Sequence, residues 1–364
     1  MQGVSEMRQA AVWYPFCPEF LPVVRWFEQG QESYELRYLV SSPGCGYGGR
    51  DAGEACNQPP VGRIVSEELP FDREDWDTLL LCRPGRIVGE LRLTELAEEA
   101  AVHGKQVLFV NPDRIAEIED LERLKQEYPG QVGCLKLGEI EPEGRFYRSQ
   151  APVILFGGFL AQSASFEAVL ELYLKVREEG YRPAVFCRNE AGGLFGFYGF
   201  ARIWNAPVRD ENERIKSLNA YINGVVRNTY ANLILIEAPD ALMRYNANTL
   251  DCFGVRSYML CQAVVPDYLV GCVSYELLEP ELIEKLSDDC RVRLGCEFCA
   301  VWPENVVLDV YYTSHRKRSD VVYMPYEYMY REVRRRKEQG GRIPVMDVSV
   351  GGAKELYRCI TGQG

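Results

Sequence analysis

The stretch that decides the fold begins with the apolar run Pro152-Val153-Ile154-Leu155-Phe156, which ends in Gly157-Gly158. A small polar loop, Ala161-Gln162-Ser163-Ala164-Ser165, separates it from a long amphipathic run over residues 166–179. After Gly180-Tyr181 a second apolar run follows, Pro183-Ala184-Val185-Phe186-Cys187. The order strand, loop, helix, strand predicts one right-handed crossover unit of a parallel sheet.

The turn between this first strand and its helix is laid out like a phosphate-binding loop. The pattern G-x-x-x-x-G-K-S/T places backbone N–H groups and a Lys around phosphate oxygens. Counted from Gly158, the second Gly falls on Ser163, the Lys on Ala164 and the hydroxyl residue on Ser165. A cation beside the transferred phosphoryl group offsets charge that backbone dipoles alone handle poorly. Because that Lys is missing, the pattern predicts the geometry of the loop without ordinary NTP hydrolysis.

Two further residues are expected at the same sheet edge. Glu237 ends the apolar run 232–236, the position of the Mg²⁺-orienting carboxylate in phosphate-loop proteins, with Ser165 as its hydroxyl partner. Asn189 follows the strand that ends at Cys187. Ligands of such sheets bind at the carboxyl ends of the strands. We therefore predict a site for a nucleotide with Mg²⁺ built from Gly157, Gly158, Ser163, Ser165, Asn189 and Glu237. The alternative is a plain turn whose glycines permit close packing.

Alternation of strand-like and helical runs predicts the domain organisation. In the first half, apolar runs at 9–16, 35–41, 61–65, 76–82 and 106–110 are typical of strands, and 18–28, 91–103 and 111–128 are typical of helices. This alternation indicates a doubly wound sheet. A polar segment at 138–150 looks like the junction.

The fold predicted from this pattern is α/β, with two doubly wound, mainly parallel sheets. Residues 1–148 form a Rossmann- or flavodoxin-like domain. Residues 149–364 form a P-loop-NTPase-like domain that ends in a basic helix and a tail. The runs 256–261, 268–274 and 306–312 are expected to extend the second sheet.

The run Gly44-Cys45-Gly46-Tyr47-Gly48-Gly49 fits the dinucleotide pattern G-x-G-x-x-G and follows a strand. A dinucleotide fingerprint must then open a helix, so that pyrophosphate lies at the helix N-terminus. The next residues run into Pro59-Pro60, which favours a glycine-rich loop that shapes a surface between domains. Gly44, Gly46, Gly49 and Asp51 are the candidate residues of this loop.

Composition excludes several classes of protein. The chain has 364 residues, 47% of them hydrophobic, which suits two packed domains. A net charge of −12 argues against a nucleic-acid surface. No apolar stretch approaches the roughly 20 residues that span a bilayer. The first residues resemble no secretory signal, so a cytoplasmic protein is expected. Basic stretches at 315–318 and 331–337 are either solvated faces or a docking surface for an acidic partner.

Thirteen cysteines are present, and Cys290, Cys296 and Cys299 form one tight cluster. A structural zinc site needs a fourth ligand, and the chain has only two histidines. Buried or reduced thiols are therefore preferred, with a metal or redox role for this trio as the alternative.

Short motifs along most of the chain resemble the peptide maturation system proteins, which are encoded beside small Cys-rich, ribosomally made precursor peptides in clostridia and their relatives. The motifs are Tyr14-Pro15-Phe16, Phe20-Leu21-Pro22-Val23-Val24-Arg25, Ser41-Ser42-Pro43-Gly44, Gly49-Arg50-Asp51, Ser165-Phe166-Glu167, Leu194-Phe195-Gly196, Phe253-Gly254-Val255 and Ala263-Val264-Val265-Pro266-Asp267-Tyr268. Relatives carry Lys where this chain has Ser165.

The resemblance implies an accessory role in maturing a ribosomally made peptide natural product. The chain would be a degenerate P-loop-like protein that binds a precursor peptide or a peptide-modifying enzyme, either alone or as a homo-oligomer. The alternative is a nucleotide-dependent enzyme of the same pathway, using ATP or GTP with Mg²⁺. Asp267, from the last of these motifs, is added to the candidate cofactor-binding residues.

Overall fold

The computed structural model describes residues 8–84, 92–110, 118–142, 144–160, 165–247, 249, 253–316, 319–347 and 351–362. The chain divides into two compact units. Unit 1 comprises Met1–Leu137 with Glu190–Gly196, and unit 2 comprises Gly138–Asn189 with Phe197–Gly364. Each unit contains one main sheet with parallel strands, so the chain has the α/β class expected from the sequence.

Unit 1 is Rossmann-like. Its described strands are β1 Gln9–Tyr14, β2 Tyr34–Val40, β3 Val65–Ser66, β4 Thr78–Leu81, β5 Gln106–Phe109 and β6 Val132–Cys134. They pair in the order β3-β2-β1-β4-β5-β6, and every pair is parallel. This order reverses direction at β1, as in dinucleotide-binding sheets. The described helices are α1 Leu21–Arg25, α2 Phe27–Gly30, α3 Ala52–Ala55, α4 Leu93–Val102 and α5 Ile118–Glu127.

Unit 2 has a sheet in the order β11-β10-β7-β9-β8, again entirely parallel. Its strands are β7 Val153–Gly158, β8 Pro183–Phe186, β9 Leu233–Glu237, β10 Tyr268–Ser274 and β11 Phe298–Glu304. β12 Val306–Leu308 and β13 Val321–Tyr323 form a separate antiparallel pair. The described helices are α6 Ser165–Glu178, α7 Ala201–Asn205, α8 Glu211–Thr229, α9 Val255–Ala263, α10 Pro280–Leu294, α11 Val310–Arg316, α12 Tyr326–Gln339 and α13 Gly352–Thr361.

The centre of unit 2 is apolar on both faces of its sheet. All six residues of β7 and all five of β9 are buried, as expected for parallel strands covered by helices on both sides. Asp210 caps the N-terminus of α8, because its side chain accepts a hydrogen bond from the Glu213 backbone N–H at 3.0 Å. No helix in the described part of the chain is both long and apolar enough to cross a bilayer.

Three expectations about local structure are wrong. Residues 256–261 belong to helix α9 and not to a strand. The helix forms because Gly254 adopts a left-handed conformation (φ 79°), its N–H donates to Asp240, and the Ser257 hydroxyl donates to the Asp240 carbonyl. The strand expected at 306–312 ends at Leu308 and is followed by α11. The strand expected at 61–65 is reduced to the two residues of β3.

Candidate functional site

The candidate site lies at the carboxyl edge of the unit 2 sheet. β9 is hydrogen-bonded to both β7 and β8, and Phe156 of β7 is in register with Glu237 at the end of β9. Arg188 and Asn189 follow β8, and Ser165 is the first residue of α6. The sheet order therefore brings three of the predicted residues, Ser165, Asn189 and Glu237, to one place.

Donors from three residues surround the Glu237 carboxylate. Its Oε1 accepts from the Ser165 hydroxyl at 3.0 Å and from the Arg188 Nε at 3.0 Å. Its Oε2 accepts from the backbone N–H groups of Arg188 at 2.9 Å and Asn189 at 3.3 Å. Glu237 and Ser165 are both 1% exposed, whereas the Arg188 side chain is 26% exposed. Each carboxylate oxygen thus already has two donors, and its charge is balanced by a guanidinium of the same chain.

Arg188 is the functional residue that sequence reasoning missed. It immediately precedes Asn189, which is predicted because it follows a strand, so the same signal could have identified Arg188. A cation that follows a strand is as well placed at the edge of a sheet as an amide is, so the position of Arg188 after the strand was the available signal. Only the pairing of β8 with β9 makes the contact visible.

A buried thiol lies within electrostatic range of this ion pair and also of a second buried carboxylate. Burial raises the pKa of Cys272 well above its ordinary value; the charges of Glu304 and Glu237 also raise it, and Arg188 opposes them. Glu304 ends β11 and is 1% exposed. Cys272 therefore lies within electrostatic range of the buried carboxylates that end β9 and β11, and of the opposing charge of Arg188.

The two glycines of the loop pattern are strand residues. A Cβ added at Gly157 would lie 2.5 Å from Cδ2 of Leu242 and 3.1 Å from Cβ of Ala238. The Leu242 N–H also donates to the Gly158 carbonyl at 2.8 Å. Gly157 is therefore needed because the segment after β9 packs directly on the end of β7, and this supports the plain-turn alternative for that residue.

The loop after β7 starts with apolar packing. Phe159 contacts Phe298 with ring centroids 6.4 Å apart, and Leu160 packs with Val306 and Val321. Both Phe159 and Leu160 are buried. Ser163 lies outside the described residues, in the gap at 161–164. The loop leads into α6, as predicted for a phosphate-loop layout.

Asp267 lies at the opposite edge of the same sheet. Its carboxylate accepts from the Val153 backbone N–H at 2.8 Å, and its own N–H donates to the Val153 carbonyl at 2.9 Å. Val153 is the first residue of β7, so this contact is at the amino end of the strands. The structure does not bring Asp267 together with Glu237.

The glycine-rich loop follows β2 of unit 1, not β1. In a dinucleotide-binding sheet the fingerprint follows the first strand, where the strand order reverses, and here that turn is Pro15-Phe16-Cys17-Pro18, which contains no glycine. Gly44, Gly46 and Gly49 all have left-handed φ values of 73–78°, and a Cβ added at any of them would meet no atom within 4 Å. These glycines therefore permit tight turns in the loop and are not required by close packing.

Asp51 organises the end of this loop. It caps the short helix α3 by accepting from the N–H of Gly53, and it also accepts from Val61, Gly62 and Arg63 at 2.7–3.0 Å. Burial alone would raise the pKa of Asp51, but the backbone hydrogen bonds outweigh it and the pKa is lowered. The role of Asp51 is to hold residues 51–63 together.

The three clustered cysteines lie at one connection, with Cys290 in α10, Cys299 in β11 and Cys296 between these two elements. Burial is the main cause that raises the pKa of Cys296 to about 11 and of Cys299 to about 12, and it raises that of Cys290 as well. Cys290 interacts electrostatically with Cys261 and Cys296, and Cys299 interacts with Cys359 and Cys296. Among the described residues no group of three His, Cys, Asp or Glu side chains is placed to hold a metal ion.

Ion pairs within the chain neutralise most of the basic stretch 331–337. Arg335 pairs with Glu332, Arg336 with Glu279, and Lys337 with Asp347 and Glu355. The helix α12 that carries these residues is therefore a paired, solvated face, the first of the two interpretations of this stretch. In the other basic stretch, Arg316 pairs with Asp320, and residues 317–318 lie outside the described part of the chain.

Comparison with known proteins identifies the fold. No family model matches the sequence, and no curated protein matches it. The chain is similar to the crystal structure of a DUF1611 family protein from Anabaena variabilis ATCC 29413, with a TM-score of 0.62 and 14% identity over 98% of this chain and 100% of that chain. It also matches signal recognition particle 54 kDa protein from Aeropyrum pernix K1 in complex with GDP, with a TM-score of 0.30 and 12% identity over 74% of this chain and 58% of that chain. The first of these likenesses shows a shared α/β fold.

Proposed function

We propose that this chain is a cytoplasmic accessory protein in the maturation of a ribosomally made peptide, and that it binds a precursor peptide or a peptide-modifying enzyme without hydrolysing NTP. The observation that carries the non-hydrolytic part is the closed group around Glu237. The carboxylate expected to orient Mg²⁺ is instead bonded to Ser165, Arg188 and Asn189.

Electrostatics favours this internal pair over a bound metal. Mg²⁺ requires oxygen ligands in near-octahedral geometry and dehydrates reluctantly. To ligate it, Glu237 would have to give up hydrogen bonds to a guanidinium and to two backbone N–H groups, which are charge-assisted and stronger than neutral ones. No Lys is present in the 158–165 turn to neutralise phosphate oxygens. Binding of Mg²⁺ and NTP at this edge is therefore opposed by two independent features.

The pathway part of the proposal comes from the resemblance of the sequence motifs to peptide maturation system proteins. The net charge of −12 also makes a peptide or protein partner a better fit than a nucleic acid. A homo-oligomer is compatible with this role.

The first experiment tests whether the chain binds a nucleotide with Mg²⁺, which an NTPase must do and a protein that only binds a partner need not do. The melting temperature of the purified chain is measured with ATP, ADP, GTP and GDP, each with and without Mg²⁺. We expect no rise with any nucleotide. A rise that needs Mg²⁺ and disappears in Glu237→Gln would contradict the proposal.

The second experiment tests the pathway. Where a precursor peptide and a modifying enzyme are encoded beside the chain, the purified peptide and enzyme are incubated with the folded chain, without it, and with heat-denatured chain as a control for added protein. Mass spectrometry of the precursor is expected to show at least tenfold less mature product without the folded chain. Equal yields in all three samples would refute an accessory role.

One observation favours the second candidate, a nucleotide-dependent enzyme. Arg188 places a guanidinium 3.0 Å from Glu237, at the edge where a phosphate would lie near the start of α6. If an anionic ligand took over Arg188, the Glu237 carboxylate would be released for Mg²⁺. In that case Arg188→Ala would abolish nucleotide binding, whereas under our proposal it alters only stability.

A further inference from the structure

Unit 2 also has a groove with a mainly apolar lining, in contrast to the charged site around Glu237. Helix α9 and the carboxyl end of α10 form its walls, and the segments at Leu242-Met243 and Phe253-Gly254 complete it. The groove has a volume of about 680 Å³. Apolar side chains dominate the lining among the described residues.

Large apolar side chains at this groove are exposed to solvent. Val292 is 79% exposed, Val255 58%, Val265 57%, Phe253 51% and Tyr258 48%. Single exposed apolar residues are common on protein surfaces, but several that meet at one concave feature mark an interaction site. Helix α9 explains the pattern, because it buries Ser257, Met259 and Leu260 and turns Val255 and Tyr258 outward.

The charges at the groove are positive. Of the described residues that line it, Arg293 alone is charged. Arg256, next to Val255, lies with its guanidinium 5.3 Å from the Trp204 ring centroid. Neither arginine forms an ion pair with another described residue, in contrast to the paired cations of α12. The groove therefore has one cation in its lining, Arg293, and a second cation, Arg256, on the residue that follows Val255.

A third arginine is fixed beside the groove. Arg244 donates to the carbonyls of Ala247 and Thr249, and its guanidinium lies 5.3 Å from the ring centroid of Phe253. Phe253 lines the groove, so the charge of Arg244 lies next to the lining.

We infer that this groove binds an amphipathic helical segment of another polypeptide, with apolar side chains inserted between α9 and α10 and carboxylates facing Arg256 and Arg293. Amphipathic helices bind in hydrophobic grooves through anchors spaced three and four residues apart, and complementary charge sets orientation and specificity. A small molecule is a poorer fit, because small-molecule pockets combine apolar walls with several convergent polar groups. The inference rests on the proposed function and names the chemistry of the partner.

Fluorescence anisotropy with three labelled synthetic peptides of about 18 residues, long enough to form a helix, tests this inference on the full chain. One peptide has Leu at positions i, i+3, i+4 and i+7 and Glu on the flanks, the second has Lys in place of Glu, and the third has Ser in place of Leu. We expect the acidic apolar peptide to bind at least tenfold more tightly than either of the others. Equal binding of the acidic and basic peptides, or no binding of the acidic one, would overturn the inference.

Variants of the chain locate the binding. The double variant Arg256→Glu with Arg293→Glu is expected to bind the acidic peptide about tenfold more weakly. The matched control is Arg331→Glu, which should not change the affinity; Arg331 is an exposed arginine of α12 that lies over the Tyr328 ring. Val265→Ser with Val292→Ser is expected to weaken it similarly, with the exposed Val102→Ser as control. Controls that weaken binding as much as the groove variants would overturn the inference. Decanoate, an anionic amphiphile, is tested as an alternative ligand. If decanoate binds to the wild type and not to the groove variants, and the acidic peptide does not bind, the inference is also overturned, because the occupant is then an anionic amphiphile.

The same variants separate this inference from the proposed function. If peptide maturation needs the chain but proceeds normally with Arg256→Glu and Arg293→Glu, the inference fails and the proposed function stands. If maturation is independent of the chain while the acidic peptide still binds in the groove, the proposed function fails and the binding chemistry stands.

Discussion

Nε of Arg188 lies 3.0 Å from Oε1 of Glu237, although the two residues are 49 positions apart in the chain. Glu237 ends β9 and Arg188 follows the neighbouring parallel strand β8, and the backbone N–H of Arg188 donates to the other oxygen of the same carboxylate. The acidic strand end of a phosphate-loop layout is thereby satisfied within the protein.

Replacing Glu237 by Gln should destabilise unit 2. The amide presents an NH₂ group to donors on Arg188 and Asn189, and it removes the charge that balances the guanidinium. Breaking a fully buried pair costs about 3–5 kcal/mol; because Arg188 is partly exposed, we expect about 2 kcal/mol, measured by urea unfolding. Glu338→Gln, which removes an exposed ion pair with Arg334, is the control and should change stability by less than about 0.5 kcal/mol. A loss no larger than that of the control would contradict the structural role of the pair.

Replacing Gly157 by Ala distinguishes packing from phosphate binding. The new Cβ would overlap Leu242, and overpacking of this kind costs about 1–3 kcal/mol. If packing is the reason for the glycine, adding Leu242→Ala should relieve the clash. The double variant should then lose less free energy of unfolding than the two single variants lose in sum. Thermal or urea unfolding of the four proteins in this cycle measures the coupling. Strict additivity would show that Leu242 does not impose the glycine.

The stabilisation contributed by Asp51 should depend on pH. Its pKa is lowered in the folded chain by hydrogen bonds from the backbone, so its contribution is present above the unfolded value of about 3.9 and is lost as the pH falls through the folded value. We expect Asp51→Asn to cost about 2 kcal/mol at pH 7. The difference between wild type and variant should shrink below about pH 4.

The exposed Asp72, replaced by Asn, serves as a control for loss of a carboxylate. Its effect on stability should be small and should not change over the same pH range. A difference for Asp51→Asn that stays constant from pH 7 to pH 3 would rule out the ionised carboxylate as the stabilising form.

The thiols near α10 should react slowly. Burial raises the pKa of Cys296 to about 11 and of Cys261 to about 12, so few of them are thiolates at pH 8. Peptide mapping after limited iodoacetamide treatment should therefore show the exposed Cys359 alkylated before either of them. Adding zinc should change neither the melting temperature of the wild type nor that of Cys296→Ser. Faster alkylation of Cys296 than of Cys359 would revive a functional role for the cluster.

Much of the fold could be predicted from the spacing of apolar residues and from the turn and capping residues between them. The crossover unit at 152–187 and the cap at Asp210 depend on local patterns, and the structure contains both. The strand prediction for residues 256–261 is wrong because a short apolar run fits strand and helix alike. There the decision is made by Gly254 and Asp240, which start a helix through contacts between residues that are distant in sequence.

The candidate site could be predicted only in part, because its residues meet through strand order. Ser165, Asn189 and Glu237 are predicted from their places at strand and helix ends, and the fold brings them together. Asp267 follows no strand but precedes one, which places it at the other edge. The glycine pattern at 44–49 matches a motif by letter, but the position of its strand in the sheet is not visible in the residues themselves.

The position of β9 between β7 and β8 also has a consequence for biosynthesis. β8 is an edge strand, and the strand beside it, β9, follows in the chain only after α7 and α8. A ribosome therefore releases β8, with Ala184, Val185 and Phe186 unburied, before its partner strand has been translated. During that interval the nascent chain presents these apolar residues without their partner strand, and we expect a chaperone that shields them to raise the yield of folded protein.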